Sequence, residues 1–367
     1  MDEMARFSTE KRAVACIQAV AVGDAMGKMT EGFWAEEVPS VYGSPVTDFM
    51  HPLYPRGPNK GKEQERWGYA EVTDDTAFTL LISQSIIQKG YVDRKDIIQR
   101  FLNHETRIKG WPGWDGFCSA TKTGEDGIAE FAEWRDGNGA PIRVSPIGII
   151  NRPKNLEKVI RDVDTACSMT HGARSALSGA CAIAAAISAA VEGFEREEVF
   201  ELAVKAARLG ESLGNDDDRP PADRIFVGMN FVNTHNGSQL AKDLRRVLNP
   251  GFQAYEGVPY ALSLAYGTQS AKDVILGAIN EGGDADSIAS MAGSVTAALY
   301  PDTLPKEWVK EIENVNGLDL RKRLWRLLGC VHNKRPGIRC EQMISEEEAL
   351  GLIRKTTKHS HALLTSG

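Results

Sequence analysis

No two cysteines in this chain are spaced as C-x-x-C. The six, Cys16, Cys118, Cys167, Cys181, Cys330 and Cys340, are scattered, so a zinc site built on that spacing has no support. Cys16 and Cys181 fall in apolar helical patterns, where a small buried thiol is the simplest reading. Basic residues are not in excess either. Lys and Arg number 43 against 50 Asp and Glu, for a net charge of −7. A mildly acidic surface has no general attraction for nucleic-acid phosphates or anionic lipid, so neither is expected as a partner. No run of 18 or more apolar residues occurs, and a transmembrane span is not expected. The first residues carry early acidic groups and no continuous apolar stretch before a cleavage site, unlike a secretory signal. These absences together point to a reducing, cytoplasmic setting. Alternating apolar and polar positions are also scarce, so strands should be few.

What is present is helical periodicity. The chain has 367 residues, 42% of them hydrophobic and 25% charged, which is ordinary globular composition and enough chain for a sizeable core. Apolar spacing predicts helices over 9–22, 75–88, 92–107, 123–135, 156–168, 173–192, 196–213, 253–266, 270–280, 287–299, 305–314 and 318–328. Thr9 is placed to cap the first, which Gly23-Asp24 and Gly27 interrupt or border. Thr73 or Asp74 is placed to cap the helix after it. Residues 52–68 and 136–152 are rich in Gly and Pro and read as loops. Two helices, 173–192 and 287–299, consist largely of small residues and allow close helix packing. The expected fold is all-α: a compact, single-domain orthogonal bundle over 1–330. A C-terminal extension over 331–367, with a short helix near 345–355, is expected to be packed on it or partly disordered.

Two acidic motifs stand at helix starts, about two hundred residues apart. One is Thr73-Asp74-Asp75-Thr76 and the other Gly282-Gly283-Asp284-Ala285-Asp286-Ser287. Each joins neighbouring carboxylates to a hydroxyl residue. Hard divalent cations take oxygen ligands of this kind. In extended backbone, residues two apart point the same way, so Asp284 and Asp286 can face one centre. Either motif alone also reads as an ordinary helix cap. The run Asp216-Asp217-Asp218 imitates such a cluster, but Arg219, Pro220 and Pro221 make an exposed linker the better reading.

The segments TDDTAFTLL and NEGGDADSIASMAGSVTAALY resemble the two signature segments of the ADP-ribosylglycohydrolase family. GDAMGKMTEG, GNGAPIRVSPIG and MTHGARSALSGACAIAAAI agree in order and spacing, and the resemblance covers roughly residues 10–310. It implies a dinuclear metal site at helix N-termini, held by Thr73, Asp74 and Asp75 on one side and Asp284, Asp286 and Ser287 on the other. The cofactors would be two divalent cations, Mg2+ first and Mn2+ second. Glu31 matches a glutamate on a mobile segment near the substrate; Glu31 and Asp75 become the candidate acid and base. Asn138, Gly139, His171, Tyr255 and Gly283 fall where the family contacts ADP-ribose. The implied activity is metal-dependent hydrolysis of an N- or O-ribosyl bond, foremost removal of ADP-ribose from a modified protein side chain such as arginine. A small free nucleoside or ADP-ribose derivative is the alternative substrate. A non-catalytic, crystallin-like role is a third reading, against which the retention of all six ligand types argues.

Overall fold

The computed structural model describes residues 3–330, apart from 105–107, 109–110, 236 and 238. The expected extension 331–367 and the helix near 345–355 lie outside the described residues. Within them the fold is all-α, with seventeen α-helices and no strand, only isolated bridges such as Trp34–Gly282 and Gly137–Gln253.

The helix Arg174–Glu192 forms the centre. Every side chain from Ser175 to Val191 is buried. By length and composition this helix could cross a membrane, but here its apolar surface is covered by the protein itself. Its alanines leave room for neighbours on all sides: Ser145–Ile150, Leu156–Cys167, Arg196–Gly210, Ala254–Gly267 and Ala285–Leu299. A helix apolar all round belongs in a core of this kind.

The first helix corrects the sequence reading. It runs unbroken through both glycines, from Glu3 to Lys28, so Thr9 lies inside it and does not cap it. Gly23 and Gly27 are where it presses against Ala285–Leu299. A Cβ at Gly23 would lie 2.5 Å from the Ala289 carbonyl carbon, and one at Gly27 would lie 2.3 Å from the Asp286 Cα. Spaced four apart, the two glycines share a face, and the seam they form sets Asp24 and Lys28 beside the second acidic motif.

Other boundaries shift for local reasons. The predicted helix 92–107 is observed as Arg94–Asn103, with Asp93 accepting a hydrogen bond from the Asp96 amide. The segment predicted as 123–135 holds Glu125–Ala132, preceded by an unforeseen helix, Trp114–Lys122. The loop 136–152 contains a short 3-10 turn and the buried helix Ser145–Ile150. Pro221 begins an unforeseen helix, Pro221–Thr234. Proline suits a first helical turn, where its missing N–H costs nothing.

Candidate active site

The first acidic motif opens the helix Asp74–Lys89, with Thr73 at the N-cap position. Thr73 does not cap it with its own side chain, and neither does Asp74. Asp24, fully buried in the first helix, does so from a distance. Its carboxylate accepts from the Thr73 amide (2.9 Å), the Thr73 hydroxyl (2.7 Å), the Thr76 amide (3.0 Å) and the Thr76 hydroxyl (2.5 Å). A buried carboxylate needs such donors, and a helix N-terminus supplies them. Asp24 thus fixes the direction in which Asp74 and Asp75 leave the backbone.

The second motif turns sharply before the helix Ala285–Leu299. Gly282 and Gly283 adopt φ of +67° and +70°, the left-handed region that favours glycine. Space demands glycine as well, since a Cβ at Gly283 would lie 2.0 Å from the Pro250 carbonyl oxygen. Asp284 follows at the N-cap position. The segment carrying Glu31 is fastened to this turn. Gly32 donates to the Gly283 carbonyl (2.8 Å), and Gly283 donates to the Phe33 carbonyl (3.0 Å).

The charge on Asp286 bears on both Asp74 and Asp75, so the two motifs face a common space. Carboxylate oxygens of Glu31, Asp284 and Asp286 lie within 4.8 Å of one another. Asp75 is buried, and its Oδ2 has no hydrogen-bond partner. Burial, then repulsion from Asp286, Asp24, Asp74 and Asp284, holds the Asp75 carboxyl well above the usual range. Burial and the Asp286 charge push Asp74 up to about 8 and Glu31 up to about 7. Asp284 is raised by the same two causes. Acids crowded out of water in this way favour protons or cations. An orphaned buried oxygen among hard oxygen donors fits a divalent ion, with Thr73 and Ser287 adding hydroxyls at the two helix starts.

Beside the acids lies the glycine loop. The Asn138 side-chain amide donates to Asp284 Oδ2 (2.5 Å) and to the Gly251 carbonyl (2.9 Å), while its Oδ1 is buried without a partner. His171 covers Gly139 so closely that a Cβ there would stand 2.9 Å from His171 Nε2. Thr170 Oγ1 lies 2.9 Å from His171 Nδ1 and accepts from the fully buried Arg143 guanidinium. The same hydroxyl also lies 3.2 Å from the Cys167 carbonyl, to which it donates in this arrangement, so Thr170 ties the histidine ring to both Arg143 and the backbone. Burial, helped by Arg143 and Arg135, holds the His171 pKa well below its usual value, so the ring is neutral. Tyr255, two residues beyond the Gly137–Gln253 bridge, carries Arg219 at 4.8 Å and Arg224 at 5.7 Å over its ring.

Of the site residues read from the sequence, Glu31, Asp284 and Asp286 bring their carboxylates together, Thr73, Asp74, Asp75, Gly283 and Ser287 stand at the two helix starts, Asn138 and Gly139 lie in the loop under His171, and Tyr255 lies on the helix Ala254–Gly267. Asp216, Asp217 and Asp218 do not join the cluster. Asp216 pairs with Arg174 (2.8 Å) and Asp217 accepts from the Ser175 amide (3.3 Å). The sequence reading missed Asp24, Lys28 and Arg143. Their signal was present, since a charged residue inside an otherwise apolar pattern is buried only with a purpose.

Fold and cluster define a class, all-helical proteins with a carboxylate-rich centre at helix starts. The family model of ADP-ribosylglycohydrolase matches residues 6–336, and the chain belongs to that family of glycosidic-bond hydrolases. It is 25% identical over 317 residues to the ADP-ribosylarginine hydrolase Tri1 of Pseudomonas putida (strain GB-1), covering 82% of this chain and 74% of that one. It is 23% identical over 338 residues to the human ADP-ribosylhydrolase ARH3, covering 83% of this chain and 90% of that protein. A solved structure described as an ADP-ribosylglycohydrolase-related protein complex shares the fold, with a TM-score of 0.59, 21% identity, and coverage of 89% of this chain and 99% of its own.

Proposed function

We propose that this protein removes ADP-ribose from a modified protein side chain, arginine first, with two divalent cations, Mg2+ foremost, held by Thr73, Asp74, Asp75, Asp284, Asp286 and Ser287. One observation carries the reading: Glu31, Asp284 and Asp286 gather their carboxylate oxygens within 4.8 Å, and Asp74 and Asp75 from the other helix start feel the Asp286 charge, an oxygen-rich centre that a divalent ion would neutralise. The arginine preference is supported by the similarity to Tri1, which is named for that substrate.

Divalent ions bound here would orient ribose hydroxyls and make a bound water more acidic. The residues supply the rest. The Gly139 loop and the neutral His171 ring would hold the pyrophosphate through backbone and ring groups. Asn138 joins that loop to Asp284, so substrate position and acid position are coupled. Tyr255 is a flat surface for the adenine. Hydrolysis breaks the bond between the anomeric carbon and the side-chain nitrogen. A new bond forms from that carbon to a water oxygen, one water proton passes to a carboxylate, and the departing nitrogen receives a proton. Glu31 suits the exchange, because a carboxyl pushed up to about 7 both takes and gives a proton near neutral pH. Asp75 is the second candidate for the base.

The test is a comparison of substrates. ADP-ribosylated arginine protein, free ADP-ribose derivatives and a panel of nucleosides are each incubated with Mg2+ or with a chelator. Release of ADP-ribose from the arginine protein, abolished by chelator, is the expected result. Turnover confined to small free substrates would transfer the site to the nucleoside reading, and inactivity on all of them would remove the catalytic one.

A further inference from the structure

Lys28 is the one cation whose ammonium reaches into the carboxylate cluster among the described ion pairs. It closes the last turn of the first helix. Its Nζ contacts Glu31 Oε2 and lies 3.8 Å from Asp286 Oδ2, so it addresses two of the three carboxylates whose oxygens cluster most tightly. The side chain is only 12% exposed. The indole of Trp67 lies 5.2 Å from the ammonium, on a geometry that attracts a cation. Its backbone cannot retreat, because neighbouring Gly27 abuts the Asp286 backbone.

A surface lysine would be free to swing into water. This one is walled in by an indole, a helix seam and two acids. A divalent ion that takes the Glu31 and Asp286 oxygens must share them with a fixed positive charge, and like charges at such separations repel strongly away from bulk water. An ion held mainly by Thr73, Asp74 and Asp75 meets less of that opposition. The two cation positions are then unequal.

We propose that Lys28 is a built-in counter-charge of the centre, which weakens one of its two divalent-ion positions and makes ion loading sequential. The proposal rests on the reading that the cluster holds divalent ions, and it goes beyond that reading by assigning unequal affinities to the two positions.

Mn2+ binding, counted by electron paramagnetic resonance and by calorimetry without any substrate, tests it. The full chain should take up one Mn2+ firmly and a second at least about tenfold more weakly, which corresponds to about 1.4 kcal/mol. Lys28→Met keeps most of the stem and removes the charge. It should tighten the weaker position by about tenfold or more and lower the melting temperature of the metal-free protein. Lys28→Arg, which keeps the charge, should retain the unequal pair. Two equal sites in the unaltered protein would overturn the proposal even if Lys28→Met fails to fold. So would unchanged or weaker Mn2+ binding by a folded Lys28→Met. Because ion binding and not hydrolysis is the readout, two equal sites remove only the role of Lys28 and leave the metal centre standing. No Mn2+ binding by either protein would remove the metal centre itself.

Discussion

The carboxylate cluster and the shelf around His171 lie on either side of Asn138, and burial acts on them in opposite ways. In the cluster, desolvation and mutual repulsion raise the acids Glu31, Asp74, Asp75 and Asp284. On the shelf, desolvation and two guanidinium groups depress His171, and Arg143 is buried with its Nε and Nη1 unpaired. Arg143 leans on the rings of Phe78 and Phe101, at 5.3 and 5.5 Å, and has no carboxylate partner among the described ion pairs. An unbalanced charge inside a protein is costly. One region is short of positive charge and the other of negative charge. Under the proposed function a single event satisfies both, since cations fill the first and a pyrophosphate comes to rest near the second.

The comparison breaks most severely if the cluster loses an acid. Asp286→Ala and Asp74→Ala should each abolish detectable Mg2+ binding and lower kcat/KM about a thousandfold or more, with helical circular dichroism unchanged. Full metal-dependent turnover by either variant would dismiss these ligands. The seam beneath the cluster comes next. Gly27→Ala puts a methyl group into backbone at 2.3 Å, and overpacking of this kind costs about 1–3 kcal/mol. Its thermal midpoint should fall and its metal affinity with it; an unchanged midpoint would mean that the seam yields.

Thr170→Val sharpens the other side. It keeps the volume but removes the hydroxyl shared by Arg143 and His171. KM for ADP-ribosylated arginine should rise about tenfold with kcat little changed. The 15N signals of the His171 ring should shift as its tautomer balance changes, and unaltered signals would deny Thr170 a positioning role. The gentlest probe is pH. Acids whose folded pKa is raised stabilise the protein below their unfolded pKa, and that contribution is lost as pH rises through about 7 for Glu31 and about 8 for Asp74. Bound cations need these groups deprotonated. The rise in melting temperature produced by saturating Mg2+ should therefore grow from about pH 5 to about pH 8. A rise independent of pH would place the ion elsewhere.

The helix starts were legible because their signals are local: two adjacent acids before an apolar run, and two glycines before a D-x-D. Each alone reads as a cap, and it was the resemblance to the family that joined them to one another and to the G-N-G loop. What escaped depends on contacts between distant segments. Asp24 caps a helix whose N-cap residue, Thr73, lies 49 residues later, so no rule about neighbouring residues could assign it. Gly23 and Gly27 looked like interruptions because only the partner helix shows what their missing side chains make room for. The helix Pro221–Thr234 was hidden by the prolines that read as a linker, and Trp114–Lys122 by the glycines and tryptophans around it.

The two backbone hydrogen bonds between the Glu31 segment and the Gly283 turn, together with the Lys28–Glu31 ion pair, fasten one acid to the turn that aims two others. Whatever displaces Glu31 therefore pulls on the backbone that orients Asp284 and Asp286, so the three carboxylates respond to a disturbance as one unit.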